Sequence, residues 1–209
     1  METSSGLFVS LQNVQHSFEH GDIFGPLSEK FESGHQIVIL GQNGSGKSTL
    51  GKIIAGQMAP SSGLVVWSDA HQKTIPPDKL VRMARFAGPS TSLHPELTVE
   101  ELIQFQGMFK DWRTGYSIQD LLSSAGIEKH MRRPYKDLSS GMKQRVELAL
   151  AMASDSPLLV LDEPCANLDE HGQSWYQDRL NALHGHVTVV ICSNHREEDY
   201  TSPDLVLSL

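Results

Sequence analysis

Gly41-Gln42-Asn43-Gly44-Ser45-Gly46-Lys47-Ser48-Thr49 decides how this chain is read. Its spacing matches G-x-x-x-x-G-K-[ST], the glycine-rich turn that joins a strand to a helix and cradles phosphate. The apolar run Ile37-Val38-Ile39-Leu40 supplies the strand in front of it. Glycines let the backbone curl so that several N–H groups point inward at phosphate oxygens. The helix that follows turns its positive N-terminal end toward the same anion. In this arrangement Lys47 reaches the β- and γ-phosphates, and the Ser48 hydroxyl is a ligand for Mg²⁺. Residues Gly41, Gln42, Asn43, Gly44, Ser45, Gly46, Lys47, Ser48 and Thr49 are thus the expected nucleotide-binding loop.

Two further apolar runs end in chemically loaded turns. Leu158-Leu159-Val160-Leu161 runs into Asp162-Glu163, and residues 187–192 run into Ser193-Asn194-His195. Parallel sheets hold ligands at the carboxyl ends of their strands, so three such endings predict one site built from distant stretches. Asp162 is expected to hold Mg²⁺, directly or through water. Glu163 is placed to polarise a water for in-line attack on the γ-phosphate.

Alternation of apolar runs with helical stretches predicts an α/β fold with a mostly parallel sheet. Between the first two runs lies a mostly helical insertion. Thr98-Val99-Glu100-Glu101 reads as a capping box. A second helix is predicted over residues 117–125, stopped by Gly126. A third is predicted from about Met142, with Met142, Val146, Ala149, Leu150 and Ala153 on one side. The expected organisation is one domain, 1–209, with a core of 1–88 and 156–209 and a helical lobe over about 89–155.

Composition narrows the function. The 209 residues carry 17 Lys and Arg against 25 Asp and Glu, a net charge of −8. That balance excludes broad electrostatic binding of nucleic acid, which needs a basic face. The apolar runs are far short of the roughly 20 residues a bilayer helix needs, and no secretory signal is visible at the N-terminus. Cys165 and Cys192 are expected to be free thiols in a reducing compartment. His184 and His186 share strand-like spacing, but no acidic or cysteine partner is placed to make a metal site with them.

The chain resembles the nucleotide-binding domain of the ABC ATPases over nearly its whole length. Leu138-Ser139-Ser140-Gly141-Met142-Lys143-Gln144-Arg145 is similar to the family signature L-S-G-G-Q-x-Q-R, with serine for the first glycine and methionine for the first glutamine. Ala166-Asn167-Leu168-Asp169 resembles the D-loop, with Asp169 six residues after Glu163. His195 stands where the family has its switch histidine. Phe18, 23 residues before Gly41, matches the aromatic that stacks on adenine. The resemblance implies an N-terminal antiparallel β portion and a head-to-tail pair of domains around two Mg-ATP. Ser139, Ser140, Gly141 and Met142 of each domain then face the partner's ATP. It further implies catalytic roles for Glu163, His195 and Lys47, and docking on a separate transmembrane permease at the cytoplasmic face. The short length is closest to stand-alone ATPase subunits such as those of haem-export-type exporters.

One departure concerns the reacting centre. The family has glutamine nine residues before the threonine of its L-T-V segment; counting back from Thr98 gives Pro89. Proline offers neither a side-chain acceptor nor an N–H. Two rival readings follow from the same residues: a soluble ABC-type ATPase unconnected with transport, and a weakly hydrolysing nucleotide switch, which Pro89 favours.

Overall fold

A computed structural model describes residues 6–18, 21–89, 91, 93–115 and 117–209. Strands β1 (Phe8–Phe18) and β2 (Gly21–Phe31) open the chain, and β3 (Gln36–Leu40) leads into α1 (Lys47–Ile54). Next come β4 (Ser62–Ser68), β5 (Thr74–Ile75), α2 (Pro77–Met83) and β6 (Ala84–Ala87). Helices α3 (Val99–Gly107), α4 (Ile118–Ser124) and α5 (Ser140–Ala153) separate β6 from β7 (Leu158–Asp162). The chain closes with α6 (Glu170–Leu183), β8 (Thr188–Ser193) and β9 (Leu205–Ser208).

The strands form two sheets. One, in the order β2-β1-β4-β5, is antiparallel; the other, β6-β7-β8-β3-β9, is parallel. Both the α/β class and the N-terminal antiparallel portion are therefore as expected. Parallel strands covered on both faces read as continuous apolar runs, and β3, β7 and β8 are buried along almost their whole length.

Alternation along each parallel strand splits the core in two. Ile37, Ile39, Leu158, Val160, Val190 and Cys192 face α1 and the antiparallel sheet. Val38, Leu159, Leu161, Val189 and Ile191 face the layer of α5 and α6. Trp67 of β4 ties the first layer down by donating its indole N–H to the Ile54 carbonyl at the end of α1 (2.8 Å).

The helical insertion follows its start signals. Thr98 and Glu101 form a complete capping box at α3, Ser117 caps α4, and Gly126 (φ 75°) follows the end of α4. α5 differs from expectation at its start. It begins at Ser140, two residues before Met142, because Ser139 is the N-cap and its hydroxyl accepts the Met142 amide (3.3 Å). It is also buried on more than one side toward its C-terminus, where Leu148, Ala151 and Met152 join Val146, Ala149, Leu150 and Ala153 in the core. Its C-terminal half lies between the sheet and the other helices, so a one-sided pattern does not apply there. Among the described residues no helix is long and apolar enough to cross a membrane.

Candidate nucleotide site

Strand order brings the three loaded turns together. β8 pairs with β7 on one side and with β3 on the other, so the carboxyl ends of the three lie side by side. Leu40 pairs with Ser193, and Asp162 pairs with Cys192. Leu40 stands more than a hundred residues from both Asp162 and Ser193 in the chain, yet all three open at one edge of the sheet, where parallel folds hold their ligands.

The 41–49 loop has the shape its composition predicts. Gly44 and Gly46 adopt φ of 87° and 98°, a region L-residues avoid. A methyl group on Gly46 would also stand 2.4 Å from the Ile23 side chain, so β2 closes directly over the loop. The Ser45 amide bonds the Gln42 carbonyl (3.1 Å), and Lys47 Nζ donates to the same carbonyl (2.9 Å). Lys47 is 4% exposed, its stem packed and its ammonium pinned across the loop. An open pocket of about 250 Å³ is lined by Asn43, Gly44, Gly46, Lys47, Ser48, Thr49, Glu163 and Ile23. Ile23 carries no sequence signal for this place; β2 puts it there.

Asp162 and Glu163 differ in setting. Asp162 is buried, and burial pushes its carboxyl above the ordinary range; the Ser48 hydroxyl and, more weakly, Lys47 and Lys52 draw it back, while Glu163 raises it further. Its Oδ1 is buried with no hydrogen-bond partner, as is the Ser45 hydroxyl. A partnerless buried carboxylate oxygen beside a hydroxyl is an oxygen donor set that fits a hard divalent cation. Glu163 lies half-buried in left-handed backbone (φ 48°), its amide bonded to the Cys192 carbonyl at 2.9 Å. His195 is exposed, also left-handed (φ 70°), one turn beyond β8. Strained backbone at both residues is the kind of feature that clusters at reacting centres.

The remaining sequence-predicted residues stand outside this pocket. Phe18 is 52% exposed at the end of β1, edge-on to His16 at 4.7 Å between ring centroids, so it is no core aromatic. Ser139, Ser140, Gly141 and Met142 form the first turn of α5, where the leading helical amides have no intrahelical partner. The turn that carries Asn167 packs against them: a methyl group on Gly141 would meet the Asn167 carbonyl at 2.8 Å. Asp169 caps α6 through the Gly172 amide (2.9 Å) and pairs with Arg145 of α5. The signature and the D-loop are one structural unit.

Pro89 is exposed and directly follows Gly88, whose Cα faces Asp162 so closely that a methyl group would lie 2.5 Å from the Asp162 Cβ. Gly88 N–H bonds the Thr91 hydroxyl (3.1 Å). Ser90, the next residue, lies outside the described residues. Both cysteines are free and buried, and Cys192 donates its thiol to the Lys47 carbonyl (3.3 Å) behind the loop. His184 pairs with one acid: its Nε2 lies 3.0 Å from Asp204, which also accepts the Gln36 amide. No group of three or more metal-ligating side chains occurs among the described residues.

Fold and site together define a P-loop nucleotide-hydrolysing protein. A model of the ABC transporter family matches residues 24–166. The cytochrome c biogenesis ATP-binding export protein CcmA of Paramagnetospirillum magneticum is 32% identical over 84% of this chain and 82% of that protein. The spermidine/putrescine import ATP-binding protein PotA of Thermotoga maritima is 33% identical over 87% of this chain, which spans about half of PotA (50%). Among solved structures, an ATP-binding cassette dimer in a post-hydrolysis state with ADP and Pi matches 96% of this chain and 94% of that one. Its TM-score is 0.80 at 24% identity, which speaks to fold. The chain belongs to the ABC transporter family, as one of its ATP-binding, ATP-hydrolysing proteins.

Proposed function

We propose that this protein is the ATP-hydrolysing subunit of an ABC transporter, acting at the cytoplasmic face of the membrane on a separate permease subunit. One observation carries the proposal: the phosphate loop and Glu163 line one pocket, whereas the signature turn opens a separate helix outside it, where only the Met142 amide of its first turn is taken by the Ser139 cap. Two half-sites on one chain suit a head-to-tail dimer in which each signature turn closes on the partner's γ-phosphate. The chain acts as a single domain in this reading, its core over 1–88 and 156–209 and its helical lobe over about 89–155.

In the closed pair, loop amides and Lys47 bind the phosphates, and Phe18 stacks on adenine. Ser48 and Asp162 would hold Mg²⁺, which supplies charge neutralisation at the β- and γ-phosphates. Glu163 accepts a proton from the attacking water, and His195 orients that water and the γ-phosphate. Ser139, Ser140, Gly141 and Met142 complete the partner's site, and Asp169 holds the D-loop against Arg145. CcmA and PotA carry export and import in their names, so the likeness leaves cargo and direction open.

A second reading, a nucleotide switch that scarcely turns over, is favoured by Pro89 alone. Steady-state phosphate release and detergent co-purification of the tagged protein separate the two. Turnover together with a stoichiometric membrane subunit supports the first reading; turnover in a protein that brings down no membrane subunit points to a soluble ABC machine.

A further inference from the structure

Asp199 is 0% exposed, at the end of a 3-10 turn (Glu197–Asp199) that follows His195. Its two carboxylate oxygens serve two different loops. Oδ1 accepts the amide of Cys165, two residues beyond Glu163, at 3.0 Å. Oδ2 accepts the hydroxyl of Ser193, two residues before His195, at 2.7 Å. Ser193 Oγ in turn accepts the Arg196 amide (3.1 Å), closing the turn around His195. Further bonds grip the Asp199 turn: Tyr176 of α6 donates to the Asp199 carbonyl (2.8 Å), and Cys165 Sγ donates to the Glu198 carbonyl (3.2 Å).

We infer that Asp199 is a positioning residue for hydrolysis, its buried carboxylate tying the turn after Glu163 to the turn that carries His195. The inference rests on the reading of Glu163 and His195 as reacting-centre residues. Those two residues sit at the ends of neighbouring strands in left-handed backbone, which persists only where the surroundings over-determine it. A carboxylate that bridges both turns is such a determinant, since each turn is held relative to the other rather than to solvent. Burial pushes the Asp199 carboxyl above its ordinary range, and the Ser193 hydroxyl and Cys165 amide draw it back. A buried carboxylate is costly to keep, and the nearby Arg196 also favours its charged form. The tie itself makes both bonds to groups that flank the site.

The test compares Asp199→Leu, which fills the space and makes neither bond, with Asp199→Asn. The amide oxygen can accept from the Cys165 N–H while its NH₂ donates to Ser193 Oγ, so the Asn variant preserves both ties. Steady-state phosphate release at varied Mg-ATP is expected to show kcat of the Leu variant roughly tenfold down, with KM within about twofold of wild type. Asn is expected to recover most of the loss. Wild-type kcat in the Leu variant overturns the inference, and so does a rise in KM matching the fall in kcat. Equal loss in the Leu and Asn variants overturns it too, since charge and not the tie would then matter. If the Leu variant does not fold, Ser193→Ala decides: reduced kcat with KM retained supports the tie, and unchanged kcat overturns it. Glu163→Gln is measured alongside. Full turnover there removes the underlying site reading, whereas a stalled Glu163→Gln with a fully active Asp199→Leu removes this inference alone.

Discussion

The Glu163 amide donates to the Cys192 carbonyl at 2.9 Å, one step beyond the point where Asp162 and Cys192 pair across β7 and β8. This bond carries the parallel ladder past the end of regular strand geometry and holds Glu163 in left-handed backbone (φ 48°). Two adjacent carboxylates consequently part company. Asp162 stays buried beside Ser48, and Glu163 turns out to line the phosphate pocket. One strand end thus yields a buried carboxylate beside a hydroxyl and a second that faces the pocket, and different losses are expected when each element of the site is changed.

Glu163→Gln is expected to keep ATP binding and lose hydrolysis, because an amide keeps the shape and removes the basicity. With Mg-ATP the variant should accumulate as a dimer on size-exclusion chromatography. Turnover equal to wild type would falsify a role for Glu163 in the chemistry.

Lys47→Ala is expected to fail earlier, at nucleotide binding, since the ammonium is the loop's only side-chain cation among residues 41–49. Equilibrium binding of a fluorescent ATP analogue measures this. Normal affinity in the variant means the loop does not hold phosphate as drawn here.

Ser139→Arg should leave ATP binding by a single chain intact and abolish turnover. Ser139 is exposed and caps α5 with its hydroxyl, far from any lining role in the 41–49 pocket, so the subunit's own site is untouched. A bulky cation there obstructs a partner's approach. Mixed with Lys47→Ala protein, it should recover at most one working site per mixed dimer. Full cooperative turnover by Ser139→Arg alone defeats the sandwich arrangement.

Pro89→Gln is expected to accelerate hydrolysis by roughly 2–13-fold, the worth of one neutral hydrogen bond of about 0.5–1.5 kcal/mol. The position is adjacent to the site: Pro89 is exposed and directly follows Gly88, which lies flush against Asp162. Phosphate release at saturating Mg-ATP compares wild type with Pro89→Gln, with Thr91→Val as a control for the loop's own Gly88–Thr91 bond. Rapid wild-type turnover that neither change alters shows that another group fills the role.

Lys110 gives a pH test away from the site. Its ammonium donates to the Ala84 carbonyl, and burial, with Arg85 nearby, lowers its pKa from 10.5 to about 8. Below pH 8 folded and unfolded chains both hold the proton, so the full cost of burying the charge is present. Between pH 8 and 10.5 the unfolded chain alone retains it, and folding gains stability as pH rises. Relative to Lys110→Met, wild type is expected to gain at most about 1.4 kcal/mol per pH unit across that window. Urea unfolding at pH 7, 8.5 and 10 measures the gap; a constant gap shows that Lys110 keeps its ordinary pKa.

Much of this protein was legible in the order of its residues because the determining physics is local. The glycines of 41–46 announce a phosphate loop through the backbone angles they permit, and Gly44 and Gly46 adopt those angles. Continuous apolar runs foretell buried parallel strands, and Thr98 with Glu101 foretells the start of α3. α5 starts two residues earlier than its apolar spacing suggests, because its boundary is set by the Ser139 hydroxyl and not by the pattern of burial. What the tertiary structure alone decided is which distant groups meet. Strand order puts β8 between β3 and β7, and no residue spacing encodes that order. Ile23 reaches the phosphate loop only because β2 folds over it, and Asn167 meets Gly141 only because α6 starts beside α5. Asp199 shows the difference most plainly. In sequence it is one acid in an acidic turn; buried, its two oxygens must find donors, and the donors available are the two turns that flank the site.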